Sequence, residues 1–378
     1  MANVNQIYDF LNNVTNEMVG GSPITVKDTS SLVSLGDTIL SSDTSTEQFY
    51  SKLVDKIGMT YVKYRELTKD ALSDILRTPM DFGIILQKVN TSEIARAVEN
   101  GSWTNQRNPF SNEKDTTKIT SSLFSKIATW ELDKIIYDYQ LKTAFKSATE
   151  MGAFIQLIFN DMYNGMELAL RDCANLCVAT SIGDCLASSK NTVKRNLLTE
   201  YNTLTSESLT VASCMRSLNF LKYASREINL VVKRMRDVST LFNSKGYERF
   251  TSDNELNIRM LADFSTACSS YLEADTFHKE LVALPHYKEA SYWQGLGASG
   301  SFSDVSTIKV TNGTINVEQS GVLAFISDKE RHGVMIDKIR TKTMYNPASE
   351  LTNYFHKADI GMYMDNSEQG VVFYIAES

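Results

Sequence analysis

The chain has 378 residues, 42% of them hydrophobic and 22% charged, with a net charge of −7. That length predicts roughly two to three domains around a sizeable core, and the balance excludes a disordered or fibrous chain. The acidic charge argues against direct wrapping of nucleic acid. No apolar run approaches the ~20 residues that cross a membrane, and the opening MANVNQIYDF lacks a signal-peptide pattern, so a cytosolic chain is expected.

Residues 3–18 place Ile7, Leu11, Val14 and Met18 on one helical stripe, ended by Gly20-Gly21-Ser22-Pro23. Residues 22–45 turn polar around isolated pairs such as Leu32-Val33 and Ile39-Leu40, and are expected to lack a core of their own and to lie on something else. A helix over 46–57, capped by Thr44 or Ser45, would bury Phe49, Leu53 and Ile57 and stop at Gly58. Extended patterns follow at Met59–Tyr64 and Ile84–Asn90. Between and beyond them, 65–83 and 91–118 are polar and carry charges of both signs, and 100–117 is a loop by composition. Residues 117–139 run back with β-branched and aromatic side chains. A stretch this poor in core residues is either disordered or a long projecting hairpin that packs on another molecule.

The strongest local signal is the S-x-x-E capping box of Ser147 and Glu150. Behind it Met151, Ile155, Ile158, Met162, Met166, Ala169, Cys173 and Leu176 recur at steps of three and four, opposite Gln156, Asn160, Asn164, Glu167, Arg171 and Asn175. This predicts a helix to about Thr180, ending near Gly183, a rod on the order of 45–50 Å that spans domains. Its methionines read as core packing. Helices are then expected near 206–226 and 229–243, the second with Leu230, Val231, Val238 and Leu241 on its apolar side. A strand at Glu255–Leu261 precedes helices at 263–272 and 274–282, and strands follow at Thr307–Thr311, Val322–Ile326, Gly333–Ile336, Thr352–Tyr363 and Val371–Ile375. Asp365–Gly370 reads as the hairpin loop between the last two.

Chemistry is sparse. Cys173, Cys177, Cys185, Cys214 and Cys268 read as free thiols, and His278, His286, His332 and His356 show no metal-ligand spacing, so no metal is expected. Gly295-Leu-Gly297-Ala-Ser-Gly300 matches GxGxxG, but no strand leads into it and no helix opens inside it, so it reads as a flexible loop and not a dinucleotide site. No GxxxxGK[ST] occurs. Lys233-Arg234-Met235-Arg236 reads as a solvated helix face beside Asp237, and Asp133 and Asp138 sit on an extended segment with no pocket implied. No nucleophile, base and orienting group assemble, so no catalytic, cofactor-binding or metal residue is assigned.

The order of arm, long polar hairpin, spine helix, mixed lobe and returning strands resembles the major capsid (coat) protein family of tailed bacteriophages, most closely that of small short-tailed phages; encapsulin shells share the fold. The likeness rests on Leu53–Val62, on Asp138–Phe145 with the helix at 148–180, on the middle segment 230–282 with Leu-Ala-Asp-Phe at 261–264, and on Asp328–Arg331, Met344–Pro347, Asn353–His356 and Gly370–Ile375. It implies an α+β fold with an N-terminal arm (1–60), an extended β-hairpin loop (61–140), a peripheral domain with the spine helix (141–185 and 330–378) and an axial domain (186–329). It further implies a non-enzymatic virion protein without cofactor that assembles, in host cytoplasm, as hexamers and pentamers into an icosahedral shell. The implied partners are further copies of itself, a separate scaffolding protein, the portal, and packaged DNA enclosed without specific binding, with no membrane. An acidic chain suits such a container, because its wall does not grip phosphates. The alternatives are an encapsulin-type compartment, or a nucleotide-binding enzyme using residues 295–300.

Overall fold

The computed structural model describes residues 4–18, 24–64, 75, 86–94, 118–124, 127–274, 287–294, 300–313 and 315–377. The expected loop at 100–117, the helix at 274–282 beyond Ala274, and residues 295–299 of the glycine motif lie outside them.

Three helices open the chain. α1 (Val4–Asn16) buries Ile7, Leu11 and Val14, the stripe that the spacing predicts. The polar stretch behind it does have a core, contrary to expectation: α2 (Thr29–Ile39) buries Leu32, Leu35 and Ile39. Asp28 caps it, accepting from the Ser31 amide at 2.8 Å while Ser31 Oγ accepts from the Asp28 amide at 3.0 Å. The Ser and Thr content that reads as an arm is therefore the cap and outer face of a helix. α3 (Asp43–Tyr64) starts one residue after Ser42, whose hydroxyl accepts from the Ser45 amide, and runs through Gly58. The strand expected at Met59–Tyr64 is its last turns, since extending a helix costs far less than starting a strand.

Two short strands follow, β1 (Leu86–Thr91) and β2 (Ile119–Phe124), paired antiparallel with Leu86 opposite Phe124 and Thr91 opposite Ile119. β3 (Ile127–Tyr137) then leads into α4 (Asp138–Ala144), so Asp138 begins a helix and is not on an extended segment. α5 (Ala148–Ala187) is longer than its pattern suggests, 40 residues and about 60 Å. The Glu150 amide donates to Ser147 Oγ at 3.2 Å at its start. Met151, Ile158, Met162, Met166 and Cys173 are buried as expected, but Leu176 is exposed. Gly183 and Cys185 lie inside this helix and not beyond it. A Cβ at Gly183 would stand 3.1 Å from Val310, so this glycine serves close packing and not termination.

After β4 (Lys194–Asn196), α6 (Leu197–Thr205) and the single turn α7 (Val211–Cys214), α8 (Leu218–Met235) replaces the two helices expected over 206–243. Beyond Met235 the backbone bonds leave the helical pattern: the Asp237 amide donates to the Arg234 carbonyl, the Ser239 amide to the Arg249 carbonyl and the Thr251 amide to the Met235 carbonyl. Val238 and Leu241, assigned to its apolar side, are exposed. β5 (Leu256–Leu261), α9 (Ala262–Ala274), β6 (Lys288–Ala290), α10 (Phe302–Val305), β7 (Ile308–Asn312), β8 (Ile315–Gln319), β9 (Val322–Asp328), β10 (His332–Asn346), β11 (Leu351–Met364) and β12 (Gly370–Tyr374) complete the order.

The strands form a three-stranded sheet in the order β10-β11-β3, a five-stranded sheet in the order β4-β12-β9-β5-β6, and the hairpins β1-β2 and β7-β8. β11 and β12 thus belong to different sheets, and Asp365–Gly370 is a connection between sheets rather than the hairpin loop expected. In the five-stranded sheet β9 is antiparallel to both β12 and β5, and all seven of its residues are buried.

Two compact units result. The first draws its described residues from Met1–Ile84, Ile127–Cys173 and Val334–Gly361, the second from Ile85–Lys126, Ala174–Gly333 and Met362–Ser378. The first has an apolar core built by α1 to α5, including Leu11, Leu35, Phe49, Leu53, Met151 and Met162, with Phe49 and Phe145 at 5.5 Å between ring centroids. The second is centred on β9 and β12 and contains the β1-β2 hairpin.

Candidate functional site

The β1-β2 hairpin has two unlike faces, and the antiparallel register assigns every residue to one of them. Leu86, Lys88 and Asn90 share a face with Thr120, Ser122 and Phe124, all half-buried; Gln87 and Val89 share the other with Ile119, Ser121 and Leu123, all exposed. On the exposed face Val89 is 59%, Ile119 67% and Leu123 64% accessible, so three large apolar side chains face away from the unit that carries them.

The other face is fixed by a polar root. Lys88 Nζ lies 2.8 Å from Glu368 Oε1 and 3.4 Å from both Asp365 Oδ2 and Glu330 Oε2. Asn90 Nδ2 donates to the same Glu368 and Asp365 carboxylates, at 3.2 and 3.4 Å. Arg249 pairs with the second oxygen of Glu368 at 3.3 Å and donates to the Thr91 carbonyl at 2.6 Å. Past the strand end, the Glu248 amide donates to the Ser92 carbonyl at 3.1 Å, and Glu248 Oε2 accepts from the Ile94 amide at 2.9 Å. On the side of β2, the Phe124 ring packs on Tyr363 at 5.5 Å.

The carboxylates of this root are themselves held. Asp365 Oδ1 accepts from Ser367 Oγ at 2.6 Å and the Ser367 amide at 2.9 Å. Burial acts to raise its carboxyl, but the Ser367 bonds and the Lys88 charge outweigh it and hold Asp365 below the usual carboxylate range. Burial also acts to lower Lys88, and the hydrogen bond to Glu368 with the charges of Glu368, Asp365 and Glu330 raises it instead. Asp328 differs: burial pushes its carboxyl up despite bonds from the Glu330 amide and Thr251. Behind the root, Arg331 is fully buried and donates to Ser181 Oγ (2.7 Å), Asp184 Oδ2 (2.7 Å) and the Glu368 carbonyl (2.5 Å). One guanidinium thereby ties α5 to the segment that anchors the hairpin.

None of these residues is singled out by the sequence reading as a site. The available signal is Lys88, a cation at the inward position of an alternating strand whose neighbours Leu86 and Asn90 share its face. The other residues considered do not converge. Asp133 lies on β3, whereas Asp138 at the start of α4 accepts from Tyr345 Oη at 2.8 Å. All five cysteines are free and buried, and burial pushes the Cys173, Cys185, Cys214 and Cys268 thiols up to about 11, away from nucleophilic use. His332 and His356 are buried, while His278 and His286 lie outside the described residues. Of the glycine motif only Gly300 is described, with a positive φ of 62°. Among the described residues no group of His, Cys, Asp and Glu is placed to hold a metal, and no helix is long and apolar enough to cross a membrane.

The hairpin is thus anchored on one face and exposes an apolar face on the other. Solved structures share the fold of the chain. A chain in the capsid structure of Staphylococcus phage Andhra is similar at 9% identity and a TM-score of 0.53, covering 83% of this chain and 84% of that one. A chain in the structure of the head fiber and inner core protein gp22 of native bacteriophage P68 is similar at 10% identity and a TM-score of 0.52, covering 79% and 83%. No curated protein matches. The model of the Phi29-like phage major capsid protein family matches residues 9–374, and the chain belongs to that family. It is a shell-forming structural protein of the virion.

Proposed function

We propose that the subunit assembles as hexamers and pentamers into an icosahedral shell, and that the β1-β2 hairpin is the arm by which each copy grips the next. The observation that carries this reading is the pairing of a rigid polar root with an exposed face of Val89, Ile119 and Leu123. A two-stranded hairpin alone is marginal in water. Here the root supplies its order, and the apolar face is left for a neighbour. The reading keeps the division into arm (1–60), extended loop (61–140), peripheral domain (141–185 and 330–378) and axial domain (186–329). It includes assembly in host cytoplasm with a separate scaffolding protein and a portal, around DNA, without enzymatic turnover or cofactor.

The test replaces Val89, Ile119 and Leu123 together with Thr, which preserves strand propensity. Subunits should melt as wild type and fail to close shells under electron microscopy. Shells of normal yield from the triple variant would overturn the role given to the hairpin.

A further inference from the structure

The outward side of α8 has a chemistry that neither the subunit core nor the hairpin uses. Its exposed positions are Asn219, Arg226, Lys233 and Arg234; the first three recur every seven residues, and Lys222 and Asn229 fill the line between them. The stripe therefore reads Asn, Lys, Arg, Asn, Lys with no carboxylate on it, and Asn229 Nδ2 within it donates to the Ser225 carbonyl at 3.0 Å. Arg216 precedes it, also exposed, and Arg236 follows. Glu227, the one acid in α8, is turned inward, pairing with Arg195 at 3.0 Å and reaching Arg226 at 3.2 Å, yet the Arg226 side chain remains 69% exposed. Arg236 pairs with Asp253. Lys233 and Arg234 in the last turn suit the helix dipole. Lys222 and Arg226, in mid-helix, gain nothing from it. In a chain with a net charge of −7 this is a concentration of one sign on one face, so the expectation drawn from net charge, that the wall does not grip phosphates, does not extend to this stripe.

We propose that this stripe of α8 is a docking surface for duplex nucleic acid, held through phosphates without regard to sequence. Two observations favour that partner over an acidic protein. A peptide or helix docks on apolar anchors as well as charge, and none of the exposed positions of α8 is apolar. Moreover, the match needs no register. The 18-residue helix is about 27 Å long, and a duplex presents a charge every ~1.7 Å of its axis. Any sequence in any phase therefore offers phosphates to the exposed Arg226 and Lys233. The shell reading supplies the biological source of the duplex; the surface itself rests on α8 alone.

The experiment uses the full-length subunit and a labelled duplex of about 24 base pairs of arbitrary sequence, with fluorescence anisotropy at several KCl concentrations. Two phosphate contacts predict an affinity falling roughly 12-fold between about 50 and about 200 mM salt. The double variant Arg226→Gln with Lys233→Gln should bind more than tenfold more weakly at the lower salt, its slope reduced by about 1.8. Arg226→Lys with Lys233→Arg should bind as wild type, and so should Lys309→Gln on β7. Should circular dichroism show the double variant misfolded, Lys233→Gln alone decides, with a slope smaller by about 0.9. Shell formation is followed separately by microscopy and should be unchanged, so that failure of the shell reading and failure of this one are told apart. Absence of duplex binding by wild type, or unchanged binding by the glutamine variants, would falsify the proposal. Tighter binding of polyglutamate than of duplex would overturn it in favour of an acidic protein, and loss of assembly with intact duplex binding in favour of a contact between copies.

Discussion

The core of the first unit and the hairpin root of the second are both buried, and they are held by opposite means. Around Met162 the first unit packs Leu11, Leu35, Phe49, Leu53 and Met151, side chains that need only exclusion from water. The root buries Asp365, Glu368 and Arg331 and satisfies them one bond at a time. Apolar packing tolerates small shifts, whereas a buried ionic network holds one geometry and fails when a partner is lost. A shell subunit has use for both: a core that keeps the body folded, and a joint that fixes the hairpin on that body.

The largest expected effect tests the apolar side. Met162 is fully buried, so Met162→Lys strands an ammonium in the core and should abolish soluble folded subunit. Asn164→Lys, two residues on and exposed, should melt within about 0.5 kcal/mol of wild type. Equal behaviour of the two in solubility and thermal melts would break the comparison from the start.

Arg331→Met tests the polar side. It leaves Ser181 and the Glu368 carbonyl without their donor and Asp184 without its cation, with only the Ser244 hydroxyl still donating to it, a loss of about 3–5 kcal/mol in chemical denaturation. If Arg331→Met were neutral, the network would be replaceable by packing, and the contrast would be one of composition only.

Acid should separate the two regions. His356, within the sheet of the first unit, has Nδ1 at 3.1 Å from Thr341 Oγ1, and burial lowers its pKa to about 4 from 6.5. Its folded state resists a proton that the unfolded chain accepts. Its contribution is complete above pH 6.5 and is lost as pH falls toward 4, by about 3 kcal/mol. Melts from pH 7 to 4.5 should show this fall in wild type and a shallower one in His356→Gln. The root has the other sign of protection. Asp365 is held below its ordinary 3.8, so its ionic contribution persists through that window and is lost only at still lower pH. Amide exchange at 86–94, corrected for intrinsic rate, should stay protected at pH 5.

How much of this was legible in the chain follows the same division. Periodicity found α1, the start and stripe of α5, β5, β9 and β12, because apolar burial leaves a repeat in the sequence. It failed where glycine had two meanings: Gly58 and Gly183 read as stops, yet both helices continue through them, the second because Val310 needs the room. It failed again at 22–45, where Ser and Thr were capping and facing a helix. Beyond the inward cation Lys88 the root leaves no pattern in the sequence, because Lys88, Arg249, Arg331 and the neighbours Asp365 and Glu368 come from four separate stretches that meet only in the fold. The family likeness rested on the order of the blocks, and so could identify a shell protein without finding what aims its hairpin.

The smallest effect on the isolated subunit, and the sharpest on its function, belongs to Lys88. Removing its ammonium in Lys88→Met does not empty the root: Glu368 keeps Arg249 and Asn90, and Asp365 keeps Ser367. The loss is therefore the 2.8 Å contact to Glu368 with the longer approaches to Asp365 and Glu330, in a side chain 14% exposed, about 1–2 kcal/mol, and it falls on the docking of the hairpin rather than on the global transition. Calorimetry should show a melt close to wild type. Amide exchange at 86–91 and 119–124 should rise about tenfold, because each 1.4 kcal/mol of local stability is a tenfold change in opening. Shells, in which every copy repeats the contact, should assemble slowly or only at higher subunit concentration. Lys88→Arg, which keeps the charge but replaces a point cation with a broad fork, should recover the exchange protection only in part. If Lys88→Met lowered the melt as far as Arg331→Met, the root would be part of the folding core, and the hairpin would not be a separately aimed element.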